Sequence, residues 1–179
     1  MLLVLINKSK LSNKEYKEAT MKETNDFYLF WRHQFGQWTK RNMIDIDGTT
    51  YNCCEQYMMA KKALLFNDPI TLAKIMQTDS AKEQQALGRE VKNFELQKWD
   101  QHKYGIVWFA NYLKFTQHQD LAERLIATKH KTLAEASPYD LVWGIGFEAE
   151  DEQAINPTCW TGQNLLGKVL MSIRDTLQF

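Results

Sequence analysis

The sequence is poor in cysteine, proline and glycine, and each shortage excludes a class of protein. Its 179 residues include three Cys, three Pro and eight Gly. Cys53, Cys54 and Cys159 are odd in number and two of them are adjacent, unlike the cysteines of a small disulfide-bonded domain. Proline and glycine are too few for collagen. With 44% hydrophobic and 12% aromatic residues, the composition excludes disorder and coiled coil and is typical of an ordered globular domain.

An excess of charge of one sign is also absent. Lys plus Arg and Asp plus Glu number 22 each, so the formal net charge is zero. Proteins that hold nucleic acid mainly through phosphates carry a basic excess, so we expect at most a local basic pocket for one nucleotide. The apolar run over residues 2–6 is shorter than a signal peptide or a membrane span requires. We therefore expect a cytoplasmic protein without a membrane partner, and the sequence leaves its oligomeric state open.

The chain divides into an N-terminal arm and one domain. Residues 1–26 are mostly polar after the apolar run and rich in Lys and Glu, so we predict that they form an arm or extension. We assign residues 27–179 to the domain, because no stretch within them has the composition of a linker. Asp47-Gly48, inside an alternating segment, predicts a β-hairpin over residues 44–51. Helical patterns dominate after it, so the predicted fold class is α+β, mainly helical, with a small hairpin or sheet.

Capping patterns predict where the helices begin. Three such starts are visible: Asn52 with Glu55, Asp68 with Pro69, and Ser80 with Glu83. The helices that they open should run to about residue 66, to about residue 77, and toward residue 88 with a possible extension to 99. Apolar spacing predicts further helices over residues 100–116, 119–128 and 164–177. Three Gly, four acids and a Pro predict a long loop over residues 144–163.

Metal and thiol chemistry find little support. The four His have no metal-ligand spacing and stand far apart: His33, His102, His118 and His130. No Gly-rich phosphate loop is present, so we expect no metal and no cofactor. Cys53 and Cys54 lie in the first turn of a predicted helix, where the helix dipole can lower a thiol pKa. Packing of two small buried residues is the favoured interpretation of this pair.

Glu55 and Lys62 are the first pair with a chemical pattern. They stand seven residues apart in a predicted helix, so both lie on one face about 10 Å apart along the axis. A partly desolvated lysine can lose its proton and act as a nucleophile, while a nearby glutamate acts as a base or stabilises positive charge. Structural interpretations stay open: Glu55 can close a cap with Asn52, and Lys62 can extend from an ordinary amphipathic helix.

The segment over residues 135–146 is a second candidate. It gathers Glu135, Asp140, Trp143 and two glycines around a proline turn. Glycine lets backbone approach a ligand closely, and a Trp face can stack on a base; a helix cap with a Trp that covers the core is the structural alternative.

The start of the last helix is a third candidate. Backbone N–H groups there can hold a phosphate, or Asn164 can be its N-cap. Arg174, farther along that helix, is either a phosphate clamp or a structural ion-pair partner.

Seven motifs follow one another in a specific order. Residues 47–51 lead to Glu55–Ala63, which is similar to the pattern E-[HQ]-x-x-x-[AG]-x-K-[AF]. The other matching segments are residues 87–89 with Trp99, then 114–117, 125–128, 133–146, 160–167 and 170–174. On these motifs the chain resembles the NADAR superfamily, the YbiA-like proteins, over residues 27–179. It departs from the pattern at Gln56, where many members have His, and at Met59, where many have Gln.

The resemblance implies an enzyme that hydrolyses N-glycosides, breaking a bond between ribose C1 and a nitrogen. Family members are associated with phosphoribosylamino-pyrimidine intermediates of riboflavin biosynthesis, and others with removal of ADP-ribose from guanine in nucleic acid. We therefore expect a small phosphorylated N-riboside or an ADP-ribosyl substrate, with nucleic acid only as a modified substrate. A module that binds ADP-ribose or a nucleotide without turning it over is the alternative from another class.

The resemblance also implies site residues. We predict that Glu55, Lys62 and Asp140 are catalytic. The predicted substrate-binding residues are Arg89, Trp99, Glu135, Trp143, Gly144 and Asn164. Lys62 either attacks C1 to give a Schiff base, which we favour, or binds phosphate or protonates the leaving base. Glu55 and Asp140 position the attacking group and stabilise positive charge, Glu135 holds ribose hydroxyls, and Trp99 or Trp143 stacks on the base.

Overall fold

Six α-helices make up nearly half of residues 20–177, the part of the chain that the computed structural model describes. Their bounds are α1 Cys54–Leu65, α2 Pro69–Gln77, α3 Ala81–Arg89, α4 Leu96–Gln117, α5 Gln119–Ala127 and α6 Leu165–Leu177. Two predicted caps are confirmed. Asp68 Oδ1 accepts the Thr71 N–H at 3.0 Å, and Ser80 Oγ accepts the Glu83 N–H at 3.3 Å. The loop predicted over residues 144–163 contains two short 3₁₀ helices, Glu152–Ile155 and Pro157–Cys159.

The predicted cap of helix α1 is wrong in its residues. Cys53 is the N-cap, and its Sγ accepts the Gln56 N–H at 3.5 Å. The Asn52 N–H donates to Gln56 Oε1 at 2.7 Å, so Gln56 closes the reciprocal pair that sequence spacing assigned to Glu55. The Glu55 side chain is therefore not needed for capping.

Within residues 20–177, five short strands form two sheets. Strands β1 Thr20–Glu23, β2 Phe27–Trp31 and β5 Thr132–Glu135 form one sheet in the order β1-β2-β5. Strand β2 pairs antiparallel with β1 and parallel with β5, where Phe30 lies opposite Glu135. Strands β3 Met43–Ile44 and β4 Thr50–Tyr51 form the predicted hairpin. The mainly helical α+β class is thus confirmed, whereas the three-stranded sheet was not predicted.

Strand β1 lies within the predicted N-terminal arm. It pairs along its whole length with β2, so this part of the arm belongs to the sheet. The boundary at residue 27 stays a prediction, and residues 1–19 lie outside the described residues.

Helix α1 lies at the centre of the helical layer. It packs against α2, α3 and α4, and eight of its 12 residues are buried. Helix α3 approaches it closely at Gly88, where an added Cβ would lie 1.8 Å from Met59 Sδ. Helix α6 packs on β5 and α4, so it joins the three-stranded sheet to the helical layer. No helix within residues 20–177 combines the length and apolarity needed to cross a membrane.

Candidate active site

Glu55 is a buried acid in the first turn of helix α1. The residue is 2% exposed, and its backbone N–H donates to the Gln37 carbonyl at 3.0 Å. The side chain of Trp38 lies near its carboxylate. Among residues 20–177, Oε1 of Glu55 has no hydrogen-bond partner. A buried polar atom without a partner costs about 1–3 kcal/mol, so this oxygen is suited to receive a donor from a ligand.

Burial also changes the acidity of Glu55. It raises the pKa of this carboxyl to about 8. The nearby polar side chain of Trp38 and the positive charges of Arg89 and Lys62 oppose the rise in pKa, while the negative charge of Asp140 adds to it. Glu55 therefore carries a proton over much of the neutral range.

Glu135 is a second acid of the same kind, at the end of strand β5. The residue as a whole is half-buried, but Oε2 is buried and lacks a hydrogen-bond partner in the described part of the chain. Burial first, and then the charges of Asp140 and Glu55, raise its pKa to about 8. Two carboxyl groups thus share one water-poor region.

Asp140 supplies the third acid from the loop after β5. Its Oδ1 accepts the N–H groups of Val142 and Trp143 at 2.9 and 2.7 Å, which fixes the turn. Its charge acts on both Glu55 and Glu135. Three acids from three separate segments therefore lie within electrostatic reach of one another. They are not arranged as a metal site, since no group of three or more His, Cys, Asp or Glu within residues 20–177 could hold a metal ion.

Lys62 lies two turns after Glu55 on the same helix. Its Nζ donates to the Gly88 carbonyl at 2.7 Å and lies 4.4 Å from the ring centroid of Phe94 and 5.5 Å from that of Trp99. Burial and then the charge of Arg89 lower its pKa, against the opposing charge of Glu55. A half-buried amine with a lowered pKa is more readily deprotonated than a surface lysine, as nucleophilic chemistry requires.

Arg89 and Trp99 flank this lysine. Arg89, the last residue of α3, is exposed and donates to Gln85 Oε1 at 3.3 Å. Its charge acts on both Lys62 and Glu55. Trp99 is half-buried in α4 and packs against the core. Their substrate-binding roles stay predictions.

Asn164 joins strand β5 to helix α6. It is 1% exposed; its Oδ1 accepts the Glu135 N–H at 3.2 Å and its Nδ2 donates to the Leu133 carbonyl at 2.9 Å. Its side chain thus supports the strand that carries Glu135 instead of capping its own helix. Its φ of 51° is in the left-handed region, which Asn tolerates better than most residues.

The loop over residues 141–145 covers the start of helix α6. The N–H groups of Asn164, Leu165 and Leu166 donate to the carbonyls of Gly144, Val142 and Trp143 at 2.9–3.2 Å. They are therefore not available to an anion, and the phosphate site expected from this helix start is wrong.

Gly144 and Trp143 belong to the same tight turn. A Cβ on Gly144 would lie 2.8 Å from the Asp140 carbonyl oxygen and 2.9 Å from that of Glu135, so the turn requires glycine. Trp143 is half-buried and packs against the core, as in its structural interpretation. Contact of either residue with substrate stays a prediction.

Two other candidates have structural roles. Arg174 is 5% exposed, and its Nη1 donates to Thr128 Oγ1 at 2.9 Å and to the Lys131 carbonyl at 2.8 Å. It stabilises the turn before β5 and is not a phosphate clamp. Cys53 and Cys54 are buried, and burial raises the pKa of both thiols, that of Cys54 to about 12. Neither is activated.

Trp38 is the site residue that sequence reasoning missed. It follows a short turn over residues 35–37, and neither capping nor periodicity points to it. Its side chain reaches Glu55 because the preceding residue, Gln37, bonds to the backbone of α1. Only the folded chain reveals this proximity.

Comparison with known proteins agrees with the motifs. A family model described as the NADAR domain matches residues 15–178. The N-glycosidase R617 of Acanthamoeba polyphaga mimivirus is 47% identical over 150 residues, which cover 82% of this chain and 88% of that protein. The riboflavin biosynthesis protein VVA0006 of Vibrio vulnificus is 30% identical over 135 residues, 75% of this chain but 33% of that larger protein.

A solved structure shares the fold. The NMR structure of the Escherichia coli protein YbiA superposes with a TM-score of 0.70 at 25% identity, covering 88% of each chain. With relatives named as N-glycosidases, the predicted enzyme class, a hydrolase acting on N-glycosyl compounds, is confirmed at the level of the class. The motifs, the fold and the family match agree, and the chain belongs to the NADAR domain family.

Proposed function

We propose that this protein hydrolyses the bond between ribose C1 and a base nitrogen in a phosphoribosylamino-pyrimidine intermediate of riboflavin biosynthesis or a related nucleotide. The observation that carries the proposal is the cluster of Glu55, Glu135 and Asp140 beside Lys62, with two carboxylate oxygens that lack partners in the described chain. The riboflavin name of the Vibrio vulnificus relative supports this substrate class.

The acids suit the transition state of glycoside cleavage. As the bond from C1 to nitrogen breaks, positive charge develops on C1 and the ring oxygen, and nearby carboxylates stabilise it. Ribose hydroxyl groups are donors that match the unpartnered oxygens of Glu55 and Glu135. We assign ribose binding to Glu135 and stabilisation of positive charge to Asp140, while protonated Glu55 serves as the acid.

Lys62 supplies the nucleophile in this proposal. Its neutral amine adds to C1 as the bond between C1 and the base nitrogen breaks, and Glu55 gives its proton to the leaving nitrogen. Glu55, now ionised, takes a proton from Nζ and passes it to the ring oxygen as the bond between C1 and that oxygen breaks, which leaves a protonated Schiff base. Water then adds to C1 and gives a proton to Glu55. That proton passes to Nζ as the bond between C1 and Nζ breaks, the new C1 hydroxyl returns a proton to Glu55, and the free sugar phosphate leaves with Lys62 neutral and Glu55 protonated again. The lowered pKa of Lys62 and the raised pKa of Glu55, both caused first by burial, support this division of roles.

Direct product analysis tests the proposal. Purified protein would be incubated with the two early riboflavin intermediates, NAD, ADP-ribose and a guanine-ADP-ribosylated oligonucleotide, and mass spectrometry would follow release of base and sugar. We expect release from a riboflavin intermediate, and loss of this release in Lys62→Ala. Borohydride should trap a sugar adduct on the wild type that is absent from Lys62→Ala.

The other outcomes decide against parts of the proposal. Release only from the oligonucleotide would replace the substrate with ADP-ribosylated guanine. Tight binding of ADP-ribose without release from any compound would make the protein a binding module. Wild-type turnover in a folded Lys62→Met variant would exclude the lysine nucleophile.

A further inference from the structure

Phe94 is an exposed aromatic residue that lies directly beside Lys62. Its ring centroid is 4.4 Å from Lys62 Nζ, while 42% of the residue surface is exposed to solvent. The same Nζ donates to the Gly88 carbonyl at 2.7 Å and lies 5.5 Å from the ring centroid of Trp99. The amine that the proposed reaction uses therefore has a backbone acceptor and two aromatic rings around it, and the Phe94 ring is open to solvent.

The loop between helices α3 and α4 holds this ring in place. The Lys92 N–H donates to Asp68 Oδ2 at 2.9 Å, and Asn93 Nδ2 donates to the Phe66 carbonyl at 3.5 Å. The ring centroids of Phe66 and Phe94 are 5.2 Å apart, so Phe94 packs on its neighbour on one side only. A ring that is already anchored loses little conformational entropy when a ligand covers its exposed part.

A substrate that is attacked by Lys62 brings its base close to this ring. Reacting atoms in a productive complex are about 3–3.5 Å apart, so C1 lies about that far from Nζ, and the base is bonded to C1. Aromatic rings interact when their centroids are about 4.5–7 Å apart, and the Phe94 centroid is 4.4 Å from Nζ. A flat heterocycle on C1 can therefore stack on the exposed part of the Phe94 ring while the loop keeps its position.

We propose that Phe94 is a substrate-binding residue whose ring stacks on the leaving base, so that the site accepts N-ribosides of planar heterocycles. This inference rests on the proposed function, in which Lys62 attacks C1. Phenylalanine has no donor or acceptor in its side chain, so Phe94 selects a flat ring and not a particular pattern of ring substituents. Stacking also removes apolar surface of Phe94 from water, which favours binding.

Binding of the two halves of the substrate tests this role without turnover. In calorimetric titrations, diaminouracil stands for the released base and ribose 5-phosphate for the sugar. Phe94→Leu keeps an apolar side chain against Phe66, but we expect it to weaken diaminouracil binding about 5- to 100-fold and to leave ribose 5-phosphate binding within about twofold of the wild type. A wild type that does not bind diaminouracil, or that binds it no better than Phe94→Leu does, would overturn the proposal.

Two further variants separate stacking from packing. Phe94→Tyr keeps an aromatic ring, so it should retain the wild-type affinity for diaminouracil. Tyr104→Leu is the matched control, because Tyr104 is a 38% exposed aromatic residue on helix α4, and it should leave both affinities unchanged. Loss of affinity for both probes in Phe94→Leu, together with lower thermal stability, would show that Phe94 only holds the loop.

Kinetics on a riboflavin intermediate separate this inference from the proposed function. In Phe94→Leu, KM should rise about 5- to 100-fold with a smaller change in kcat. Base release with the same KM in Phe94→Leu and in the wild type would overturn the role of Phe94 and keep the function. A wild type that releases no base but binds diaminouracil through Phe94 would remove the hydrolase and keep the base-binding ring.

Discussion

Helix α1 carries two buried polar clusters that differ in how completely their members are paired. In the first, which we call the paired cluster, Lys61 Nζ lies 2.7 Å from Asp45 Oδ2, with the Asp45 side chain 3% exposed. Lys61 also lies 5.0 Å from the ring centroid of Tyr57 and 5.9 Å from that of Tyr51. Burial opposes the charge of Lys61, but the Asp45 hydrogen bond, Tyr51 and Tyr57 outweigh it and raise its pKa.

The second cluster contains Glu55, Glu135 and Asp140 with the adjacent Lys62, and we call it the acid cluster. Its two glutamates each bury an oxygen for which the described chain provides no partner. The paired cluster holds the β3–β4 hairpin against α1, while the acid cluster lowers stability whenever its glutamates ionise. The difference teaches that the unpartnered groups, and not burial of charge as such, distinguish the candidate site from the structural cluster.

Replacing each of the two adjacent lysines in turn tests this comparison with the largest expected effect. Lys62→Met should reduce turnover at least about 10³-fold with little loss of stability, because it removes the proposed nucleophile. Lys61→Met should leave turnover per folded molecule unchanged. It should lower the free energy of unfolding by about 2–3 kcal/mol, less than a fully buried pair costs, because 23% of the Lys61 side chain is exposed. Urea unfolding and product release measure both. Equal effects of the two variants on turnover and on the free energy of unfolding would contradict the distinction between the paired cluster and the acid cluster.

The pH dependence of stability tests the acid cluster alone. Burial raises the pKa of Glu55 and of Glu135 from an ordinary 4.5 to about 8, so the folded state binds these protons more tightly than the unfolded chain. The resulting stability is complete below about pH 4.5 and is lost as the pH rises toward 8. Between pH 5 and 9 the free energy of unfolding should therefore fall, and Glu135→Gln should reduce this fall by about 2–4 kcal/mol.

Urea unfolding at several pH values measures this effect. Glu90→Gln, at an exposed residue, is the control and should leave the curve unchanged. A wild type whose stability rises steadily up to pH 8 would contradict the protonated state of the buried acids.

Asn164 tests how the acid cluster is supported. Asn164→Ala removes the side-chain hydrogen bonds to the Glu135 N–H and the Leu133 carbonyl. It also places alanine, which has a Cβ but no polar side-chain atom, at a φ of 51°. We expect a loss of about 2–3 kcal/mol in the free energy of unfolding, with faster hydrogen exchange at the Glu135 amide. Asn164→Gly relieves the backbone cost but not the lost bonds, so it should lose about 1 kcal/mol less. Equal losses in the free energy of unfolding of both variants would show that the backbone conformation at residue 164 does not contribute to the loss.

Arg89 gives the smallest expected effect. Its charge lowers the pKa of both Glu55 and Lys62, but the side chain is exposed and screened by salt. Arg89→Gln should therefore move the pH limbs of kcat/KM upward by a few tenths of a unit at low ionic strength, and 0.5 M salt should reduce the difference from the wild type. If KM instead rises strongly at all pH values, Arg89 binds the substrate directly.

Local signals in the sequence predict the helices well and the sheet poorly. Asp68-Pro69 and Ser80 mark helix starts because the bonds that cap them are formed within three residues. Strand β2 is a run of five apolar or aromatic residues without alternation, and its parallel partner β5 begins about 100 residues later. A parallel pair so distant leaves no local pattern.

The candidate site shows the same limit. Glu55 and Lys62 could be paired from their spacing on one helix, but no spacing relates Glu55 to Glu135; the sequence nominated them as separate candidates, and only the family resemblance placed both in one site. Sequence reasoning missed Trp38 because its proximity to Glu55 depends on buried hydrogen bonds from Asn111 and Lys114. Gln56, not Glu55, closes the cap because it is the third residue after the N-cap Cys53, the position from which a side chain reaches back to the Asn52 N–H. This detail frees Glu55, and spacing alone could not reveal it.

The parallel pairing of β2 with β5 also determines when, during synthesis of the chain, the acid cluster can form. A ribosome makes Glu55 about 80 residues before Glu135, and β5 must close a long loop onto β2 before the two carboxyl groups meet. A growing chain that ends before β5 therefore contains α1 without the mutual repulsion of the acids. Glu135, which introduces this repulsion, is therefore added only when helices α1 to α5 have already been synthesised.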